Sequence, residues 1–158
     1  GFAARNIDEV KTLSRAVTAI SHDHPEGLKG AESVAMAIFL ARQSKTKQQI
    51  RDYIEQNYYK IGFTLDEIRG TYEFNETCQN TVPQAFEAFF EAKDFEDAIR
   101  NAVSVGGDSD TLAAITGSIA EAYFGVPFNL RKKAESYIDN DTFRPIHTWL
   151  KRFEKMFP

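Results

Sequence analysis

The chain has 158 residues, a formal net charge of −4 and a single cysteine, Cys78. With its basic residues scattered, this charge excludes nucleic acid and anionic membranes as favoured partners. The cysteine count excludes an internal disulfide and is typical of a cytoplasmic protein. No apolar run reaches the roughly 18 residues of a membrane span, and the first residues lack the layout of a signal peptide. The length and aromatic content predict one packed domain over residues 1–158.

Helix signals begin near the N-terminus. Asn6, with Glu9 three residues later, predicts a capping box and a helix that reaches about Ile20. Apolar residues recur along this helix at helical spacing, at Val10, Leu13, Val17 and Ile20. Further capping pairs predict helices over 47–58, 65–69 and 95–105, and an alanine-rich segment predicts one over 28–43.

The second half of the chain carries the same kind of signal. A Thr-Val-Pro segment at 81–83 predicts the N-cap and first turn of a helix that runs to Ala92. A glycine pair at 106–107 ends one helix, and Asp108 begins the next, which a Gly and a Pro at 125 and 127 end. Two amphipathic helices over 129–138 and 143–156 follow, the second with an N-cap at Asp141. Because no convincing period-2 strand interrupts this pattern, it predicts an all-α fold class.

The segment that follows the glycine pair carries the strongest chemical signal. Asp108, Asp110 and Thr111 place three hard oxygen groups where a turn meets a helix. Residues two apart on a helix do not face each other, so the two carboxylates converge only if Asp108 lies in the turn and Asp110 in the first helical turn. Oxygen ligands in that arrangement suit Mg²⁺. Carboxylates at a helix N-terminus are also typical of a capped surface helix without a metal.

Three segments, in sequence order, carry a family resemblance. They are Ser-His-Asp-His-Pro-Glu-Gly at 21–27, Cys-Gln-Asn-Thr-Val-Pro at 78–83, and Gly-Gly-Asp-Ser-Asp-Thr-Leu-Ala at 106–113, which leads into Thr-Gly-Ser-Ile-Ala-Glu-Ala-Tyr-Phe-Gly at 116–125. These segments resemble motifs of the ADP-ribosylglycohydrolases, the family of dinitrogenase-reductase-activating glycohydrolase. The resemblance implies a compact orthogonal bundle of helices and a hydrolase that cleaves the glycosidic bond between ADP-ribose and a modified side chain or small acceptor.

The resemblance also implies roles for individual residues. Asp108, Asp110 and Thr111 would match ligands of a binuclear Mg²⁺ site, with the two aspartates as catalytic residues. His22 would contact the ligand near its ribose and diphosphate. The segment that contains Cys78 and Gln79 would line the adenosine side of the cleft.

Simpler interpretations exist for most of these residues. His22 and His24 could order a helix–helix loop; we favour ligand contact for His22 and the loop role for His24. Cys78 could be a small buried apolar residue. The acidic run at 139–141 is better explained as a helix cap than as a metal cluster, and the aromatic residues at 86, 89 and 90 are expected in the core.

The resemblance covers only the C-terminal half of the family pattern. The family's glycine-rich opening with its catalytic Glu, its Thr/Ser-Asp-Asp metal ligands and its Asn-Gly-Ser/Ala segment all belong to the other half. Asp108, Asp110 and Thr111 alone would hold at most a weak, water-rich Mg²⁺. We therefore expect a fragment, truncated at the N-terminus, that self-associates or pairs with a missing N-terminal half through exposed apolar surface.

Two other functions stay open from the sequence. One is a non-catalytic structural or ADP-ribose-binding remnant, the behaviour that we expect of the isolated chain. The other is a helical interaction module without a ligand. The sequence does not identify the acceptor, whether Arg, Ser or a small molecule.

Overall fold

The computed structural model describes residues 1–156, apart from the side chains of residues 140, 150 and 153–156. Within this part the chain forms nine helices and no strand, which confirms the predicted all-α class. The helices are α1 Ile7–Thr18, α2 Pro25–Arg42, α3 Lys47–Asn57, α4 Leu65–Ile68, α5 Cys78–Glu91, α6 Phe95–Ser104, α7 Ser109–Phe124, α8 Phe128–Glu135 and α9 Asn140–Met156. None of the described helices is both long and apolar enough to cross a membrane. The chain divides into two compact units, Gly1–Gly125 and Val126–Pro158.

Three helices form the centre of the first unit. Helices α2, α5 and α7 contact one another; α1 and α3 pack on α2, α4 packs on α5, and α6 packs on both α5 and α7. Met36 of α2, Phe86 and Phe89 of α5 and Ile119 of α7 are fully buried in their shared core. Burial of one such side chain stabilises the fold by roughly 1.5–3 kcal/mol, so this contact fixes where α7 lies.

A smaller apolar cluster holds the N-terminal half of α7. Leu112 is fully buried there, one turn after Asp108, together with Leu65 of α4 and Val105 at the end of α6. Deeper in the helix, the Thr116 hydroxyl donates a 2.9 Å hydrogen bond to the carbonyl of Ala85 in α5. Buried contacts therefore hold the inner side of the start of α7, while Asp110 and Thr111 on its outer side are exposed to solvent.

Local capping explains most helix starts. The predicted box of Thr46 and Gln49 forms in both directions at the start of α3. At α1, Asn6 Oδ1 accepts a 2.9 Å hydrogen bond from the amide of Glu9, as predicted. The Glu9 carboxylate, however, accepts from the amide of Arg5 and not from that of Asn6. In a capping box the Glu9 side chain would accept from the amide of the N-cap residue, Asn6; here it accepts from the amide of the residue before the N-cap.

Two helices of the first unit begin earlier than the sequence predicts, α2 by three residues and α5 by four. Helix α2 begins at Pro25 because Nδ1 of His24 accepts a 3.2 Å hydrogen bond from the amide of Glu26, so His24 is its N-cap. Helix α5 begins at Cys78, and the expected N-cap at position 81 is wrong. The cause is Asn75, whose Oδ1 accepts from both the amide and the hydroxyl of Thr77 and so orders the turn before the helix.

The apolar spacing in α1 predicted the helix correctly, but most of its apolar side stays uncovered. Val10 is 1% exposed, whereas Leu13 and Val17 are 45% and 72% exposed. The helix ends at Thr18, so Ile20, which is 87% exposed, lies just beyond it. Helical spacing shows which residues share a side of a helix and does not show what covers that side.

The second unit contains α8 and α9. The predicted N-cap of α9 at Asp141 is wrong, because the Asp139 carboxylate accepts hydrogen bonds from the amides of Asp141 and Thr142 at 3.0 and 2.9 Å. These bonds hold the pKa of Asp139 below its usual range. The acidic run at this position therefore works as a helix cap, as the sequence interpretation preferred.

Candidate functional site

A glycine turn positions the acidic residues at the start of α7. Gly106 and Gly107 have φ angles of +81° and +58°, in the left-handed region that favours glycine. This turn makes Asp108 the N-cap residue of α7 and places Asp110 in the first helical turn. The arrangement is the one that allows two carboxylates separated by one residue to meet.

The side chains of Asp108 and Asp110 lie close enough to interact. The Asp108 side chain and the backbone amides of Asp110 and Thr111 hold the pKa of Asp110 below its usual range. Two carboxyl groups this close need a proton or a cation between them, because like charges at this separation repel. The turn therefore concentrates negative charge at one point.

This pair of aspartates is open to solvent. Asp110 and Thr111 are exposed and Asp108 is partly exposed. Within the described part of α7, the Asp108 side chain makes no capping hydrogen bond to the helix amides. An Asp that only capped the helix would accept from one of those amides, so the geometry leaves the Asp108 oxygens available to another partner.

Tyr72 connects the glycine turn to the N-terminus of α5. Its ring lies so close to Gly107 that a Cβ added there would be 2.6 Å from Cε1. Its hydroxyl donates a 2.9 Å hydrogen bond to the carbonyl of Asn80, next to Gln79. Burial, with a contribution from the negative charge of Asp108, raises the pKa of Tyr72. The sequence analysis did not single out Tyr72. The signal that could have identified it is an aromatic side chain inside a polar loop.

An open groove of about 250 Å³ lies beside Tyr72. Its walls come from the loop before α5 and from Asn80 and Gln84 on that helix. Among the described residues, the buried Oε1 of Gln84 finds no hydrogen-bond partner. The groove is smaller than a typical ligand pocket, so it suits one polar part of a larger ligand.

The other predicted site residues lie on the neighbouring elements. His22 is exposed in the turn between α1 and α2, and its Nδ1 lies 2.8 Å from the Ser21 hydroxyl. This local contact does not bring His22 to the aspartates. Cys78 is the first residue of α5 and is partly exposed, and Gln79 beside it is exposed. Since Pro83 has no amide hydrogen, the usual helical donor to the Gln79 carbonyl is missing.

The aromatic residues of α5 take no part in this site. Phe86 and Phe89 are fully buried, and Phe89 packs edge-on against Tyr123 at 5.4 Å between ring centroids. Their prediction as core residues is confirmed.

Comparison with known proteins decides the family. The ADP-ribosylglycohydrolase family model matches residues 1–153. The chain belongs to the ADP-ribosylglycohydrolase family. All three segments on which the resemblance was based lie inside the matched range.

Individual relatives agree with this family. The human protein named ADP-ribosylhydrolase ARH3 is 26% identical, in a match that covers 89% of this chain and 52% of the human protein. An uncharacterized protein of Archaeoglobus fulgidus is 47% identical over 49 residues, 30% of this chain and 16% of that protein. A solved structure titled "ADP-ribosylglycohydrolase-related protein complex" matches with a TM-score of 0.64 and 25% identity, over 80% of this chain and 48% of that one. This member of the ADP-ribosylglycohydrolase family thus spans about half the length, or less, of these relatives.

The donors in this ADP-ribosylglycohydrolase chain suit part of a Mg²⁺ site. Among the described residues, no group of three or more His, Cys, Asp or Glu side chains lies close enough to hold a metal. Asp108 and Asp110 are neighbouring hard oxygen donors, and the Thr111 hydroxyl follows in the same helical turn. Two carboxylates and one hydroxyl are fewer than the roughly six ligands that Mg²⁺ takes, so water or other protein groups would complete its shell.

Proposed function

We propose that this chain forms the C-terminal side of a Mg²⁺-dependent site that hydrolyses the glycosidic bond between ADP-ribose and a modified side chain or small acceptor. The closeness of Asp108 and Asp110 at the exposed start of α7 carries this proposal. Two carboxylates held near each other in this way fit a divalent cation better than they fit a structural cap. Family membership supports the ADP-ribose chemistry.

In this proposal Asp108, Asp110 and Thr111 hold the metal. When bound, Mg²⁺ supplies positive charge that orients ribose hydroxyls and activates water for hydrolysis. The two carboxylates also accept hydrogen bonds, which would orient the attacking water and assist proton transfer. Tyr72 supports this geometry, because its ring fills the space behind Gly107 and its hydroxyl ties the turn to α5.

Ligand contacts would come from the turn between α1 and α2 and from the start of α5. The exposed imidazole of His22 can bond a ribose hydroxyl or a diphosphate oxygen. Gln79 offers an exposed side-chain amide for a base edge, with Cys78 beside it. We propose these three as substrate-binding residues. The single cysteine supports a reducing, cytoplasmic setting for the reaction.

The remaining ligands of a complete site would come from a second polypeptide segment. Leu13 and Val17 on α1, with Ile20 just after its end, form an exposed apolar surface, and surface of this kind favours association. We therefore keep self-association, or pairing with the other half of the family fold, as part of the proposal. The alternative of a non-catalytic remnant, and that of a module without a ligand, gain no support from the relatives.

Binding of Mn²⁺, a paramagnetic substitute for Mg²⁺, tests the site on the chain itself. Electron paramagnetic resonance should detect weak Mn²⁺ binding that Mg²⁺ displaces and that Asp108→Asn or Asp110→Asn abolishes. Asp52→Asn is the matched control, since Asp52 is an exposed carboxylate on α3 that pairs with Gln48. Binding that survives both site substitutions would overturn the metal assignment. Release of ADP-ribose from peptides modified on Arg or Ser, with and without Mg²⁺, tests the activity and the acceptor.

A further inference from the structure

Cys78 lies in a small polar cluster between α2 and α5. A methyl group built on Gly30 would lie 3.1 Å from the Cys78 sulfur and 3.5 Å from the Tyr59 hydroxyl, so both groups pack closely against Gly30. The ammonium of Lys29 lies 4.3 Å from the centroid of the Tyr59 ring. The sulfur is partly exposed, so a small reagent can reach it.

The Tyr59 hydroxyl is the unusual group in this cluster. Tyr59 is only 5% exposed, and among the described residues its buried hydroxyl has no hydrogen-bond partner. Burial, together with the nearby charges of Cys78 and Glu26, raises the pKa of Tyr59, so the group stays an O–H donor. A buried donor without an acceptor is costly, and such groups are rare in folded proteins.

We propose that Cys78 is a site of oxidation by peroxide, and that the Tyr59 hydroxyl donates a hydrogen bond to the oxygen that the sulfur gains. The thiolate sulfur attacks one peroxide oxygen, a sulfur–oxygen bond forms and the oxygen–oxygen bond breaks. The sulfur is oxidised by two electrons and the peroxide is reduced. The leaving hydroxide takes a proton and becomes water, and Cys78 becomes a sulfenic acid.

Two features favour this product. The oxygen on sulfur gives the Tyr59 hydroxyl the acceptor that the reduced protein lacks. In addition, the Cys78 sulfur and the Tyr59 hydroxyl both lie within 3.5 Å of the position that a Gly30 Cβ would occupy, so the two groups are neighbours. The inference goes beyond the proposed hydrolysis and does not depend on it, since its test measures only the thiol.

The test uses the whole chain, in which every thiol adduct must be on Cys78 because no other cysteine exists. The protein is treated with hydrogen peroxide and dimedone, and the rate of sulfenic acid formation is measured by mass spectrometry. Tyr59→Phe should slow the reaction about tenfold, the effect of losing one hydrogen bond to the product oxygen. It should leave thermal stability unchanged or slightly higher, because the hydroxyl that it removes has no partner.

Tyr58→Phe is the matched control. It removes a neighbouring hydroxyl that donates a 2.7 Å hydrogen bond to Glu32, and it should change the rate less than twofold. Gly30→Ala is a second variant, since its methyl group would lie 3.1 Å from the Cys78 sulfur, crowd that atom and so lower the yield of adduct. An unchanged or faster reaction in Tyr59→Phe, equal slowing in both tyrosine variants, or no dimedone adduct in the folded wild-type chain would overturn the proposal.

Discussion

The glycine turn before α7 provides the sharpest prediction about how the site is held. In Gly107→Ala, an alanine must adopt a φ angle near +58°, which costs roughly 1–2 kcal/mol for an L-residue. Its methyl group would also lie 2.6 Å from Cε1 and 2.9 Å from Cδ1 of the Tyr72 ring, which therefore has to move. Moving the ring disturbs its hydrogen bond to Asn80, worth about 1 kcal/mol. The sum is a loss of about 2–3 kcal/mol in the free energy of unfolding.

Urea unfolding followed by circular dichroism measures this loss, with Gly106→Ala as the matched control. Gly106 has a φ angle of +81°, but a Cβ there meets nothing within 4 Å, so only the backbone cost of roughly 1–2 kcal/mol applies. In a Tyr72→Ala background, the extra cost of Gly107→Ala over Gly106→Ala should shrink, because the ring is gone and only the Glu73 carbonyl, 3.1 Å from the added methyl group, still lies close. Equal losses for the two glycine variants in the wild-type background would refute the role given to Tyr72.

Three further predictions concern stability and association. Leu112→Ala should lower the free energy of unfolding by about 3 kcal/mol, because it leaves a cavity under the start of α7; a loss below about 1 kcal/mol in urea titration would contradict this packing. Burial raises the pKa of Glu87 despite its 2.6 Å ion pair with Arg51, so the native state releases this proton at higher pH than the unfolded chain does. As pH rises from 4 to 7, wild type should therefore lose stability relative to Glu87→Gln in urea unfolding, and a relative gain would contradict the sign. The double substitution Val17→Ser with Ile20→Ser should change the free energy of unfolding by less than about 0.5 kcal/mol, because both side chains are exposed. It should also reduce association measured by light scattering. Unchanged association would contradict the proposal that this surface is part of the interface.

Local sequence signals predicted most of the helices and one feature of the site. The cap formed by Asn6 and the box formed by Thr46 and Gln49 involve residues three apart, so the chain segment itself contains the whole interaction. The convergence of Asp108 and Asp110 is equally local, because it depends on a glycine turn and the first turn of a helix.

Contacts between distant residues account for what the sequence did not reveal. The start of α5 depends on hydrogen bonds that Asn75 makes in the loop before it, which a capping pattern does not include. The support of Gly107 by Tyr72 joins residues 35 positions apart, and the meeting of Gly30 with Cys78 joins two separate helices. The open side of α1 is also a matter of tertiary packing, which helical spacing does not report.

The central claim is that Asp108, Asp110 and Thr111 form a divalent-cation site at the start of α7. Paramagnetic broadening of the backbone amide NMR signals during a Mn²⁺ titration tests it most directly, because the broadening falls steeply with distance from the ion. The account predicts that the amides of residues 106–112 broaden first, and that Mg²⁺ reverses the effect. Broadening that centres on the acidic cap at 139–141, or that spreads evenly over the surface carboxylates, would contradict the claim.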